Sequence, residues 1–170
     1  KSSPHNVRYN DINLGHRAPW LSGLAFELGL DSHFVVTDPD VVPCEECPSD
    51  VFEHFERALN IYSDIDKVGF SLRIDDVPEH YSHAQDVVKW ESQWWLDERY
   101  PGFFFSPIDT TFAMYRPGEG HLNHRSLRCA PPYVARHMPW YENSSVPNEE
   151  LEYYLAHADS LIINWDAKVL

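Results

Sequence analysis

Two neighbouring stretches limit what this chain can become. From Pro48 to Tyr62, the side chains of Val51, Phe55, Leu59 and Tyr62 recur at helical spacing. Pro48 opens that stretch, and Asp50 and Glu53 sit near its positive end. From Lys67 to Ile74, Val68, Phe70 and Leu72 alternate with other residues, which is the period of a strand. A helix followed directly by a strand points to an α/β fold, and the rest of the chain keeps alternating. Pro19 to Leu28 reads as a helix, and His33 to Thr37 as a short buried strand. Glu79 to Leu96 reads as a helix with Val87, Trp94 and Trp95 on one side. Phe103–Phe105 and Thr110–Tyr115 read as strands, and Asn148 as the cap of a helix through Ala156. Val7–Tyr9 and Ser160–Trp165 are the outermost candidate strands. The expected architecture is α/β: a single layered domain over 1–170, with a mixed, mostly parallel sheet flanked by helices.

Charge narrows the partners. The formal net charge is −14, which repels nucleic acid and anionic lipid. An acidic chain that handles a nucleotide diphosphate needs a local cation. Hydrophobic residues make up 43% of the chain, enough for a core and against disorder. No apolar run is long enough to span a membrane, and no signal peptide is read, so a cytoplasmic, reducing setting is expected. The cysteines, Cys44, Cys47 and Cys129, are odd in number. Cys44 and Cys47 form one C-x-x-C with no second pair to complete a structural zinc site. A polar loop carrying two thiols is the expected reading.

The segment Val35-Val36-Thr37-Asp38-Pro39-Asp40-Val41 sends a strand into two acids one residue apart. In open α/β sheets, ligands gather at the carboxyl ends of strands. Two carboxylates there offer hard oxygen ligands to Mn²⁺ or Mg²⁺, metals that share their shell with substrate phosphates. Asp-Pro-Asp is also a common turn sequence.

The same segment resembles the D-x-D motif of GT-A-type glycosyltransferases. Asn13-Leu14-Gly15-His16-Arg17-Ala18-Pro19-Trp20 is similar to the N-x-G stretch that precedes that motif in family 2-like members. The stretches Lys67 to Pro78, Trp90-Glu91, Ile108 to Arg116 and Arg136 to Tyr141 together resemble a bacterial and marine subgroup of these enzymes. The resemblance covers about Asn13 to Trp165. It implies a GT-A-like fold and a UDP- or GDP-sugar donor. It also implies a divalent metal and inverting, hexosyltransferase-like transfer to a glycan or small-molecule acceptor. Asp38 and Asp40 fall on the motif as metal ligands, Asp38 also as a ribose contact, and His137 resembles the C-terminal histidine ligand. Asn13, Gly15 and Trp20 fall on the substrate-binding stretch. In this family a nucleotide-binding unit precedes that stretch, of about 50–70 residues for two βαβ-type steps. The expectation is therefore an N-terminally truncated sheet with a raw edge that a second copy could cover as a homodimer. The alternative reading is a non-catalytic fragment that binds sugar, nucleotide or a partner chain.

Transfer to a hydroxyl needs a carboxylate to take its proton. Asp109 and Asp76 lead, with Asp75 behind them. The adjacent Asp75 and Asp76 could raise one another's pKa, or could form a solvated turn. Arg128 and Arg136 could each clamp a phosphate, or serve as ion-pair partners. Arg73 could order Asp75 or the acceptor. Trp90 and Glu91 could line the acceptor groove, while Trp94 and Trp95 read as core. Trp140 and Tyr141 are candidates for a sugar-stacking wall, because a loop can expose them. His54 reads as solvated.

Overall fold

A computed structural model describes residues 5–12, 14–108, 112–120, 125–146 and 149–157. It is an α/β arrangement of six strands in one mixed sheet. The strands are β1 (Phe34–Val36), β2 (Val41–Pro43), β3 (Lys67–Leu72), β4 (Phe103–Phe105), β5 (Ala113–Tyr115) and β6 (Ser126–His137). The order is β1-β5-β3-β6-β2, with β4 also on β6. Only β3 and β6 run parallel, and the other pairings are antiparallel. The expected mostly parallel sheet is thus corrected. Parallel neighbours need a crossover of a dozen or more residues, and the links joining β4, β5 and β6 are too short for a crossover helix.

The helices are α1 (Ala18–Leu21), α2 (Leu24–Gly29), α3 (Val51–Ile61), α4 (Ala84–Ser92) and α5 (Glu149–His157). Helix α3 buries Val51, Phe55, Ala58 and Leu59 against the sheet, where Phe55 meets Phe70 edge-on at 5.2 Å. Its C-terminal carbonyls have no partners within the helix. The Arg116 guanidinium donates to the carbonyls of Leu59, Tyr62 and Ile65 and closes that end. Two glycines are dictated by geometry. Gly23, at φ +80°, separates α1 from α2 where one helix was expected. At Gly69 a Cβ would lie 2.5 Å from the Phe112 carbonyl oxygen, so β3 and β5 meet only over a glycine.

The main core lies between α3, α4 and the sheet, and a smaller cluster of Trp20, Ala25, Ile108, Ala113 and Tyr115 packs under Phe34 and Val36. Strand β1 lies on an edge, with Val35 exposed, which corrects the buried strand expected there. Residues 7–9 form no strand; Arg8 instead grips Glu27 through two contacts of 2.7 Å. The candidate strand 160–165 and the cap Asn148 lie outside the described residues.

Strand β6 was not anticipated, and it organises the rest. Its first half pairs with β3 and β4, and its second half with β3 and β2. The register jumps between Phe70↔Cys129 and Ser71↔Val134, so residues 130–133 have no partner on β3.

Candidate functional site

The linker between β1 and β2 joins opposite edges of the sheet. Strands β1, β3 and β6 share one direction, so Asp38-Pro39-Asp40 crosses their carboxyl ends. The same segment is a turn closed by Val41 N–H donating to the Asp38 carbonyl at 3.4 Å. The segment is therefore a turn, and it follows directly on the end of β1.

Pairing of β2 with β6 sets Val41 opposite His137, and Met138 N–H donates to the Asp40 carbonyl at 2.8 Å. This register carries the Asp40 side chain to His137, with Oδ2 3.5 Å from Nε2. The imidazole holds the Asp40 carboxyl below the ordinary carboxylate range, against the upward pull of burial. Asp40 Oδ1 and His137 Nδ1 are both buried without a hydrogen-bond partner. A buried polar atom left without a partner is costly. Asp38 is half-buried. Among the described residues, no group of three or more His, Cys, Asp or Glu could hold a metal ion. The predicted trio is therefore reduced to one joined pair, Asp40 and His137.

Beside this pair, β3 runs out into Arg73, Asp75 and Asp76. Arg136, one residue before His137, donates twice to Asp76 Oδ2, at 2.9 and 2.6 Å. The Tyr141 hydroxyl donates to Asp76 Oδ1, and Arg73 Nε lies 3.3 Å from Oδ2. Burial pushes the Asp76 carboxyl up, but Tyr141, Arg136 and Arg73 together carry it below the ordinary range. Asp76 is thus not raised as expected, because the nearest charges to it are cations. Asp75 is largely exposed and takes Arg73 Nε at 2.8 Å, while Arg73 also reaches Glu46 at 3.2 Å. Asp109 and Asn13 lie outside the described residues.

Other predicted residues lie elsewhere or are already engaged. Arg128 is buried in β6, ion-paired with a buried Glu91 at 2.8 Å, and donates to the Pro107 carbonyl. Neither is open to a phosphate or an acceptor, which corrects both expectations. Helix α4 turns Glu91 inward and Trp90 outward, and Trp90 stands edge-on to Trp94 with its surface exposed. Trp140 is buried and stands edge-on to His137 at 4.9 Å, so it shapes the pair from beneath and is no stacking wall. Tyr141 is half-buried with its hydroxyl committed to Asp76. Trp20 belongs to the smaller core and donates Nε1 to the Glu119 carbonyl at 3.3 Å. Gly15 opens a short 3-10 turn. His54 is not solvated as expected: it lies between Tyr133 and Phe103, at 3.9 and 5.1 Å, and burial pushes its pKa down.

Sequence reasoning missed Lys67. It opens β3 fully buried, donates to the Ile108 carbonyl, and lies 5.2 Å from the Tyr115 ring centre. A lysine at the start of an apolar alternation was the available signal. No family model, curated protein or solved structure matches this chain.

Proposed function

We propose that the chain is a glycosyltransferase-type domain that takes a nucleotide-sugar donor, with Asp40 and His137 contributing to a divalent-cation site. One observation carries this reading. An acid from the turn before β2 and an imidazole at the carboxyl end of β6 meet, each with a buried polar atom left without a partner. A donor set of one carboxylate and one imidazole suits Mn²⁺, and Mg²⁺ less well. Asp38, in the same turn, is the ribose contact in this reading. Such a metal would complete its shell with donor phosphates and offset their charge as the diphosphate leaves.

The protein's own residues supply the rest. Arg136, fixed by Asp76 and Tyr141, and Arg73 beside it place two guanidiniums at the carboxyl ends of β6 and β3. These would hold anionic groups of the donor. Asp76, held ionised well below neutral pH, is a weak proton acceptor by the Brønsted argument. Its part is to position Arg136 and Tyr141, and Asp109 is the acceptor-activating carboxylate in this reading. Inversion follows from the family resemblance alone.

Calorimetry with UDP and GDP, with and without Mn²⁺, tests the reading. Nucleotide binding should require metal and should disappear in Asp40→Ala. Metal-independent binding, or binding unchanged in that variant, would overturn the proposal and favour a non-catalytic binding fragment.

A further inference from the structure

We infer that Cys44 and Cys47 form a reversible dithiol site, which a disulfide-class oxidant converts to a Cys44–Cys47 disulfide. The inference is independent of the sugar-transfer reading. Strand β2 ends at Pro43, and the next residues form a turn closed by Cys47 N–H donating to the Cys44 carbonyl at 2.9 Å. Such a turn keeps its first and fourth Cα atoms within about 7 Å. Disulfides span Cα separations of about 4.4–6.8 Å, so the spacing this turn sets falls in the range a disulfide bridges.

Both thiols are free and both turn toward the protein. Cys44 is buried, and Cys47 is half-buried against the main core. Burial pushes the Cys47 thiol up, and Cys44 adds to that rise, as expected of neighbouring sulfurs. Burial also pushes Cys44 up, while the guanidiniums of Arg136 and Arg73 pull the other way. The two cysteines thus have different tasks. Cys47 is the reachable sulfur, and Cys44 is the internal one with two cations beside its developing thiolate.

The chemistry is thiol–disulfide exchange. Cys47 loses its proton and attacks one sulfur of R–S–S–R. That S–S bond breaks and one R–S⁻ leaves. Cys44 then loses its proton and attacks Cys47 Sγ, breaking the mixed disulfide and releasing the second R–S⁻. The two released protons pass to the two thiolates. The two cysteine sulfurs are oxidised and the two R sulfurs are reduced. Cys129 takes no part: it is fully buried, and burial pushes its pKa well above the ordinary range.

The test uses the full chain and oxidised glutathione at mildly alkaline pH, followed by alkylation in denaturant and trypsin. Two of the three thiols should be lost to alkylation. The peptide spanning 18–57, which holds both cysteines, should be lighter by two hydrogens, and dithiothreitol should restore it. A stable glutathione adduct on Cys47, a cross-link to the peptide spanning 129–136, or three alkylated thiols would each overturn the inference. Cys47→Ser should abolish the loss of Cys44. The mapping of the unmodified chain decides the matter even if that variant folds poorly.

Discussion

Arg128 and Arg136 lie on the same strand, and sequence reasoning could not tell them apart. Arg128 is sealed among Glu91, Pro107 and the Trp94 ring, about 5% exposed on its side chain. Arg136 stands near the strand's carboxyl end, 27% exposed and held by Asp76. The same guanidinium is sealed in one place and partly exposed in the other. Distance from the end of the sheet decides between them.

This contrast can be broken most sharply at Glu91. Glu91→Ala leaves Arg128 buried without its anion and should cost about 3–5 kcal/mol of stability, read by chemical denaturation. Asp76→Asn releases a half-exposed ion pair and should cost about 1 kcal/mol. Equal losses in the two variants would mean that both arginines are structural.

Acid sharpens the same point. The Asp40 and Asp76 carboxyls both titrate below their unfolded value of about 3.9. Their contribution to stability is complete above that value and is lost as pH falls through the depressed folded values. Thermal melts should therefore not register these two groups between neutral pH and about pH 5, and should show their loss only below about pH 4. Asp76→Asn should flatten part of that acid limb. The smallest expected effect is on the outer contacts of Arg73 with Glu46 and Asp75. These lie in water, and moderate salt should screen them with little change in stability.

How much of this was legible varied with the kind of signal. Helix α3 and strand β3 were readable because each shows an uninterrupted period. Strand β6 was not, because Pro131 and Pro132 interrupt its middle and prolines argue against a paired strand. Missing β6 also hid the antiparallel partners of β2 and β4, and with them the true balance of the sheet. The short run at Phe34–Val36 showed a strand but not its neighbours, so an edge was taken for an interior. At the candidate site, Asp40 and His137 were each identifiable, but their meeting depends on the β2–β6 register. The fates of Glu91 and Trp140 depend on which way one helix face and one short turn point. No local spacing encodes that.

The run at residues 130–133 bulges away from β3, tied down by Ala130 N–H on the Gly102 carbonyl and by Tyr133 on His54. Its two prolines are exposed, and pairing resumes on either side. Residues could be added or removed at its tip while the Cys129 half and the Val134 half each keep their own partners. The Arg128 anchorage and the Arg136 end can therefore be altered separately along a single strand. Elsewhere in a sheet, a one-residue slip would turn every following side chain to the wrong face.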